Sequence, residues 1–178
     1  MTDSDVPPRA EDSVLAVTAS AVIDAPVEKV WEVLLDFPAY PEWNTFVRSQ
    51  VVVDAHEHAL PSQTAELGSH LVLTAHLPPS LEPRLGVLKS TTRLRVTHLD
   101  ARAHRAAWQN RMPPWLLRTH RWQWLEPLED GKTRYETIEV FDGPLAWCVR
   151  WFVAGALRKG FRAMADGLKA RAEELARA

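Results

Sequence analysis

The strongest constraint on this chain lies near its end. From Leu145 to Leu175 the apolar residues Leu145, Cys148, Val149, Phe152, Leu157, Phe161, Met164, Leu168, Ala172 and Leu175 recur with a helical period. Lys169, Arg171, Glu173, Glu174 and Arg177 occupy the other side, so the pattern predicts one long amphipathic helix. Such a helix must bury its stripe against a broad apolar surface. The segments before it supply one. Phe46–Val53, Ser69–Leu77, Leu85–Leu99, Arg102–Arg111, Leu117–Leu125 and Thr133–Phe141 read as strands. They are joined by turn-rich links such as Met112-Pro113-Pro114-Trp115 and Glu129-Asp130-Gly131. Links this short imply an antiparallel meander rather than helical crossovers. Gly155 and Gly160 interrupt the final helix, where a bend or the close approach of other groups is expected.

The N-terminal part completes the layout. Ser13–Ile23 reads as a first strand, with Met1–Asp12 before it as a flexible acidic, proline-containing tail. Asp24 is placed to cap a helix and Pro26 to sit in its first turn. Val27, Val30, Trp31, Leu34 and Leu35 then make one helical stripe, and Tyr40-Pro41-Glu42-Trp43 a second short turn of helix. Residues 13–178 therefore form one α+β domain. A hydrophobic share of 46% suits a packed globule and not a disordered chain. A single cysteine excludes an internal disulfide and a Cys-rich zinc site. A formal charge of -2 gives the whole molecule no pull on nucleic acid. No apolar run is long enough for a membrane span, and the acidic N-terminus does not look like a signal peptide, so the expected location is the cytoplasm.

Several segments in this order carry a family resemblance. They are Val22-Ile23-Asp24-Ala25-Pro26-Val27-Glu28-Lys29-Val30-Trp31 and Phe37-Pro38-Ala39-Tyr40-Pro41-Glu42-Trp43-Asn44, then the Trp108 strand and His120-Arg121-Trp122. Gly131-Lys132-Thr133 and Phe141-Asp142-Gly143-Pro144-Leu145 complete the set. The chain resembles the START-like (SRPBCC) helix-grip superfamily, in particular its polyketide cyclase/dehydrase and lipid-transport branch, over Ser13–Ala176. The resemblance implies a curved antiparallel sheet wrapped around the C-terminal helix, two short helices after the first strand, and a hydrophobic ligand cavity between sheet and helix. It does not name the ligand, because such domains carry lipids, bind other small molecules or cyclise polyketides.

Strand alternation gives an independent expectation for the cavity. With Trp108 facing inward, Asn110 shares its side. Pairing across Pro113-Pro114 then brings Arg118, His120 and Trp122 inward, and pairing across Asp130-Gly131 brings Tyr135, Thr137, Glu139 and Phe141 beside them. Phe161 and Met164 of the long helix would close the space. The expected ligand-binding set is thus Trp108, Asn110, Arg118, Trp122, Tyr135, Thr137, Phe141, Phe161 and Met164, an apolar wall with a few polar groups. His120 and Glu139 would be the catalytic pair, if there is one, with the carboxylate fixing the imidazole tautomer. The plainer alternative is an Arg118–Glu139 ion pair with His120 hydrogen-bonded to a neighbour and no ligand.

Other features compete for a function. Asp54, His56, Glu57 and His58 have the flavour of a metal site but no third ligand at suitable spacing, and a solvated loop is the better account. Arg93, Arg95, Arg105, Arg111 and Arg121 alternate onto the outer sheet face. That face could meet an acidic partner or phospholipid headgroups, or simply water, and it has no aromatic pair for stacking RNA bases. Cys148 reads as a packing residue, and Phe152 as core. Phosphate-loop, dinucleotide and nucleophile-elbow motifs are absent. The expected function is binding of a hydrophobic or amphipathic small molecule such as a lipid, quinone or polyketide, without metal or other cofactor, without nucleic acid, and with at most transient contact to a membrane surface. The alternatives are a cyclase or dehydratase using His120 and Glu139, and an interaction domain using the basic outer face.

Overall fold

A computed structural model describes residues 6–81 and 86–178. Met1–Asp5 of the expected tail and Leu85 at the head of one expected strand lie outside the described residues. The chain runs β1 (Leu15–Ile23), α1 (Val27–Leu35), α2 (Tyr40–Trp43), β2 (Val47–Val53), β3 (His70–Leu77) and β4 (Leu88–Asp100). It continues through β5 (Arg105–Asn110), β6 (Arg118–Pro127), β7 (Thr133–Asp142), α3 (Pro144–Phe152) and α4 (Ala154–Arg177). Ala10–Asp12 form a single 3-10 turn before β1.

The strands make one antiparallel sheet of seven in the order β1-β7-β6-β5-β4-β3-β2. Each strand from β2 onward pairs with its successor, and β1 closes on β7. This is the helix-grip arrangement: α4 crosses the inner face of the sheet and α1 and α2 pack beside it. The core lies between them, with Val17, Leu71, Leu94, Trp108 and Tyr135 from the sheet meeting Phe161, Met164 and Leu168 from α4.

The start of α1 departs from expectation. Pro26 occupies the cap position and no side chain caps the helix. The backbone N–H of Asp24 instead donates to Glu173 of α4 at 2.9 Å, which ties the first helix to the last. The C-terminal helical run is also two helices rather than one, broken at Val153. Nothing crowds Gly155, whereas a Cβ on Gly160 would overlap the Phe46 ring. The missing side chain lets β2 and α4 close on each other, with Phe46 and Phe161 rings 5.7 Å apart. The break turns α3 away from the α4 stripe and leaves Cys148 and Phe152 on the surface, so neither is the packing residue that periodicity suggested.

Gly160→Ala should therefore destabilise the fold by about 1–3 kcal/mol, the usual cost of overpacking a filled core. Thermal denaturation will show the drop, while Gly155→Ala, with open space around it, should not lower the melting temperature.

Candidate functional site

Two loops decide which side chains enter the space between sheet and helix. The β5–β6 link is closed by a side chain: Asn110 donates from Nδ2 to the Leu117 carbonyl at 3.0 Å and accepts the Thr119 N–H at 2.9 Å. The amide stands in for a ladder bond and sets Trp108 opposite Arg121 and Gln109 opposite His120. The β6–β7 link is a three-residue turn, Glu129-Asp130-Gly131, with Leu128 N–H donating to the Lys132 carbonyl and Gly131 at φ 77°. It sets Arg121 opposite Glu139 and His120 opposite Val140. Both pairings differ by one residue from those expected, and a one-residue shift exchanges the two faces of a strand.

β6 is consequently reversed. Thr119, Arg121, Gln123 and Leu125 face α4, while His120, Trp122 and Trp124 lie on the outer face. Trp122 is buried there in a small separate cluster with Ala107, Ile138 and Val140, flanked by Trp124. The His98 ring lies 4.9 Å from it and the His120 ring 5.8 Å. His120 Nε2 is 3.0 Å from the Thr97 hydroxyl. The expected His120–Glu139 contact is not made. Arg118 is exposed and pairs with Asp142 at 3.1 Å, not with Glu139. Arg121, expected on the basic outer face, is the charged residue that goes in.

The inner face holds a cavity of about 360 Å³. Trp108, Asn110, Glu139 and Phe141 of the expected set line it, joined by Thr119 and Arg121. Apolar residues of β3, β4 and the α3–α4 region, among them Leu73, Leu94, Val149 and Val153, make much of the remaining wall, with Ser90, Thr91 and Thr92 of β4 adding hydroxyls. Larger open grooves of about 580 and 610 Å³ run over the outside of the molecule, along polar and charged residues such as Thr18 and Arg162 or Arg95 and Arg111.

Arg121 is the chemical centre of the inner face. It is buried, and Nε donates to the Thr137 hydroxyl at 3.3 Å while Nη2 reaches Gln123 Oε1 at 3.4 Å and Met164 sulfur at 3.2 Å. The guanidinium carbon lies 4.2 Å above the Phe161 ring, a cation–π contact that helps offset its desolvation. Gln123 is fixed in turn by the Tyr135 hydroxyl, which donates to its Oε1 at 2.6 Å. Thr137 donates onward to the Trp122 carbonyl at 2.8 Å. Tyr135, Thr137, Phe161 and Met164, expected as ligand contacts, thus surround and orient Arg121. The Tyr135 hydroxyl also interacts with the guanidinium, and Arg121 borders the cavity. The Trp108 indole N–H is a buried donor without an acceptor among the described residues.

Glu139 stands across from Arg121 in the adjacent strand. Burial pushes its carboxyl above the ordinary 4.5, against the opposing pulls of Arg121 and the Thr119 hydroxyl. Tyr40 and Tyr135 are likewise raised by burial, so both phenols are neutral donors. The wall thus offers one cation, one carboxyl group with elevated proton affinity, a few uncharged polar groups such as Asn110 and Thr119, and a mostly apolar surface.

The remaining candidates resolve locally. The Asp54 carboxylate accepts the backbone N–H groups of His56 and His58 at 2.8 and 2.9 Å, and Glu57 pairs with Arg93. The described residues contain no cluster of three or more His, Cys, Asp or Glu able to hold a metal. Arg121 could have been found from sequence only by weighing Leu117 and Leu125, which share its parity, above Trp122 and Trp124, which do not.

Residues 15–173 match the family described as polyketide cyclase / dehydrase and lipid transport. The chain belongs to that family. Among curated proteins it is similar to the Oxopyrrolidines biosynthesis cluster protein O of Penicillium oxalicum, 28% identical over 171 residues covering 84% of this chain and 82% of that protein. Among solved structures it is similar to the Zhui aromatase/cyclase from Streptomyces sp. R1128, with TM-score 0.67 and 16% identity over 92% of this chain and 96% of that one. A START superfamily protein from Mycobacterium smegmatis superposes with TM-score 0.57 at 14% identity, over 90% of this chain and 98% of that one. At these identities the structural likenesses establish the START-like fold.

The Glu139 proton gives a test of the site in the empty protein. Because its folded-state pKa lies above 4.5, its contribution to stability is complete below that pH and is lost as pH rises through the folded value. Glu139→Gln, which cannot ionise, should flatten the fall in melting temperature above that pH. An unaltered profile would place the carboxyl in water.

Proposed function

We propose that this protein binds a hydrophobic or amphipathic small molecule between the sheet and the C-terminal helices, with a carbonyl, enol or phenolate oxygen held by Arg121. The observation that carries the reading is the buried Arg121 guanidinium at the border of a mostly apolar cavity. A cation removed from water is costly unless its donors are satisfied, so an oxygen-bearing guest gains more here than a pure hydrocarbon does. A cavity of about 360 Å³ suits a guest of a few fused rings or a short acyl chain. Membership of a family named for polyketide cyclisation and lipid transport supports the same class of guest.

The test compares two probes of one shape. Quenching of tryptophan fluorescence by a hydroxyanthraquinone and by anthracene reports the two affinities. Arg121→Leu should weaken the hydroxyanthraquinone roughly tenfold or more, the scale of a hydrogen bond to a charged group, and leave anthracene nearly unchanged. Equal affinities for both probes in the native protein would overturn the role given to Arg121, and failure of either to bind saturably would overturn the cavity reading.

A second reading is favoured by the Arg121–Glu139 pairing itself. In a cyclase, the ionised Glu139 would take a proton from the carbon between two carbonyls, and Arg121 would hold the enolate oxygen as it gains charge. The carbanion carbon would then bond to a second carbonyl carbon of the same chain, whose oxygen takes the proton back from Glu139 and becomes a hydroxyl. Glu139 would next remove the second proton of the same carbon and pass it to the departing hydroxyl, so that water leaves and a carbon–carbon double bond forms. A carboxyl group with raised pKa is better matched to this exchange near neutral pH than an ordinary one. Glu139→Gln should lower the turnover of a poly-β-ketone substrate by about 10²–10⁴ with little change in its binding. Equal losses of turnover and binding would assign Glu139 to binding alone.

A further inference from the structure

We propose that α3 and the adjoining β5–β6 loop form a docking surface for an anionic lipid bilayer. The inward side of α3 is accounted for: Ala146 is buried and Val149 lines the cavity. The outward side is not. Trp147, Trp151 and Phe152 expose 51%, 76% and 87% of their surface, and Trp115 on the loop exposes 74%. Trp147 and Trp151 are one helical turn apart and share a face. The loop is joined to the start of α3 through Leu145 N–H donating to the Leu116 carbonyl at 3.1 Å, which fixes Trp115 near the helix. Single exposed aromatics are ordinary, but four at one end of a molecule form a patch that needs a partner.

Charge selects the partner. From Gly143 to Ala165 the charged residues are Arg150, Arg158, Lys159 and Arg162, with no acidic residue among them. The loop adds exposed Arg111 and Met112 and again no acid. Arg150 lies 5.6 Å from the Trp147 ring centre, so cation and indole occupy one surface. Aromatic residues interleaved with basic ones, on a helix too short and too charged to span, describe an element lying in the headgroup layer. Among the described residues no helix is long and apolar enough to cross a membrane, so contact would be at the surface. A second copy docking on the same patch would set Arg150 and Arg111 against basic residues of its own kind, whereas anionic headgroups complement them. Val149 and Val153 place the cavity wall directly behind this surface. The inference does not depend on which guest the cavity takes, nor on Arg121.

The experiment is flotation of the full chain with vesicles of phosphatidylcholine alone and of phosphatidylcholine mixed with phosphatidylglycerol, together with the shift of tryptophan emission. Binding to the mixed vesicles, with emission moving to the blue, is expected, and it should weaken in high salt. Trp147→Ala with Trp151→Ala should lower vesicle affinity roughly tenfold or more, and Trp115→Ala, on a separate element, should also lower it. Arg158→Glu with Lys159→Glu should cost roughly tenfold or more on the mixed vesicles. These side chains are exposed, so melting temperatures should hold and separate lost docking from lost folding. No binding to mixed vesicles, or unchanged binding by the tryptophan variants, overturns the proposal. Concentration-dependent dimerisation abolished by the same variants, without vesicle binding, overturns it in favour of a second copy.

Discussion

A guanidinium kept out of bulk water organises the interior of this protein. Arg121 enters a wall that is mostly aliphatic and aromatic, and an unpartnered cation there would cost several kcal/mol. The surrounding residues are arranged around that cost. Phe161 supplies the face of its ring, Thr137, Gln123 and Met164 accept from two nitrogens, and Tyr135 holds Gln123 in position. Glu139 on the neighbouring strand offsets the charge at a remove. The helix is therefore tied to the sheet by a polar contact as well as by its apolar stripe, since Phe161 and Met164 both belong to α4.

The same arrangement links packing to chemistry. The acceptors Thr137, Gln123 and Met164 hold in place a guanidinium that also borders the cavity. Burial that makes the guanidinium demanding also raises the proton affinity of Glu139. A cation and a protonatable carboxyl in an apolar space can hold an oxygenated guest or pass a proton to it. The fold supplies the enclosure, and the pair decides what the enclosure can do. On the other side of α3, aromatic and basic residues face outward next to the same wall, so one short helix separates the cavity from the proposed lipid contact.

Much of this was legible in the amino-acid order. The meander followed from short turn-rich links, and the cover from the period between Leu145 and Leu175. Trp108, Asn110, Glu139 and Phe141 lie on the face that alternation gave them. Among the strands the misassigned face was that of β6, and its cause is specific. Leu117 and Leu125 have one parity, Trp122 and Trp124 the other, so both faces of the strand carry large apolar groups. Preferring tryptophan for the inside was wrong because the outer face has its own cluster around Trp122. Periodicity likewise misplaced Phe152 and Cys148, because a stripe says which residues align on a continuous helix and not where that helix breaks.

The sequence by itself determined the class of fold and the order of its elements, because these follow from local period and turn chemistry. Only the tertiary structure decided that Arg121 and not His120 faces Glu139. Register depends on how the ends of hairpins close, here through the Asn110 amide and the three-residue turn at Gly131. A single-residue difference there inverts a whole strand, and alternation read along one strand is the same for either choice.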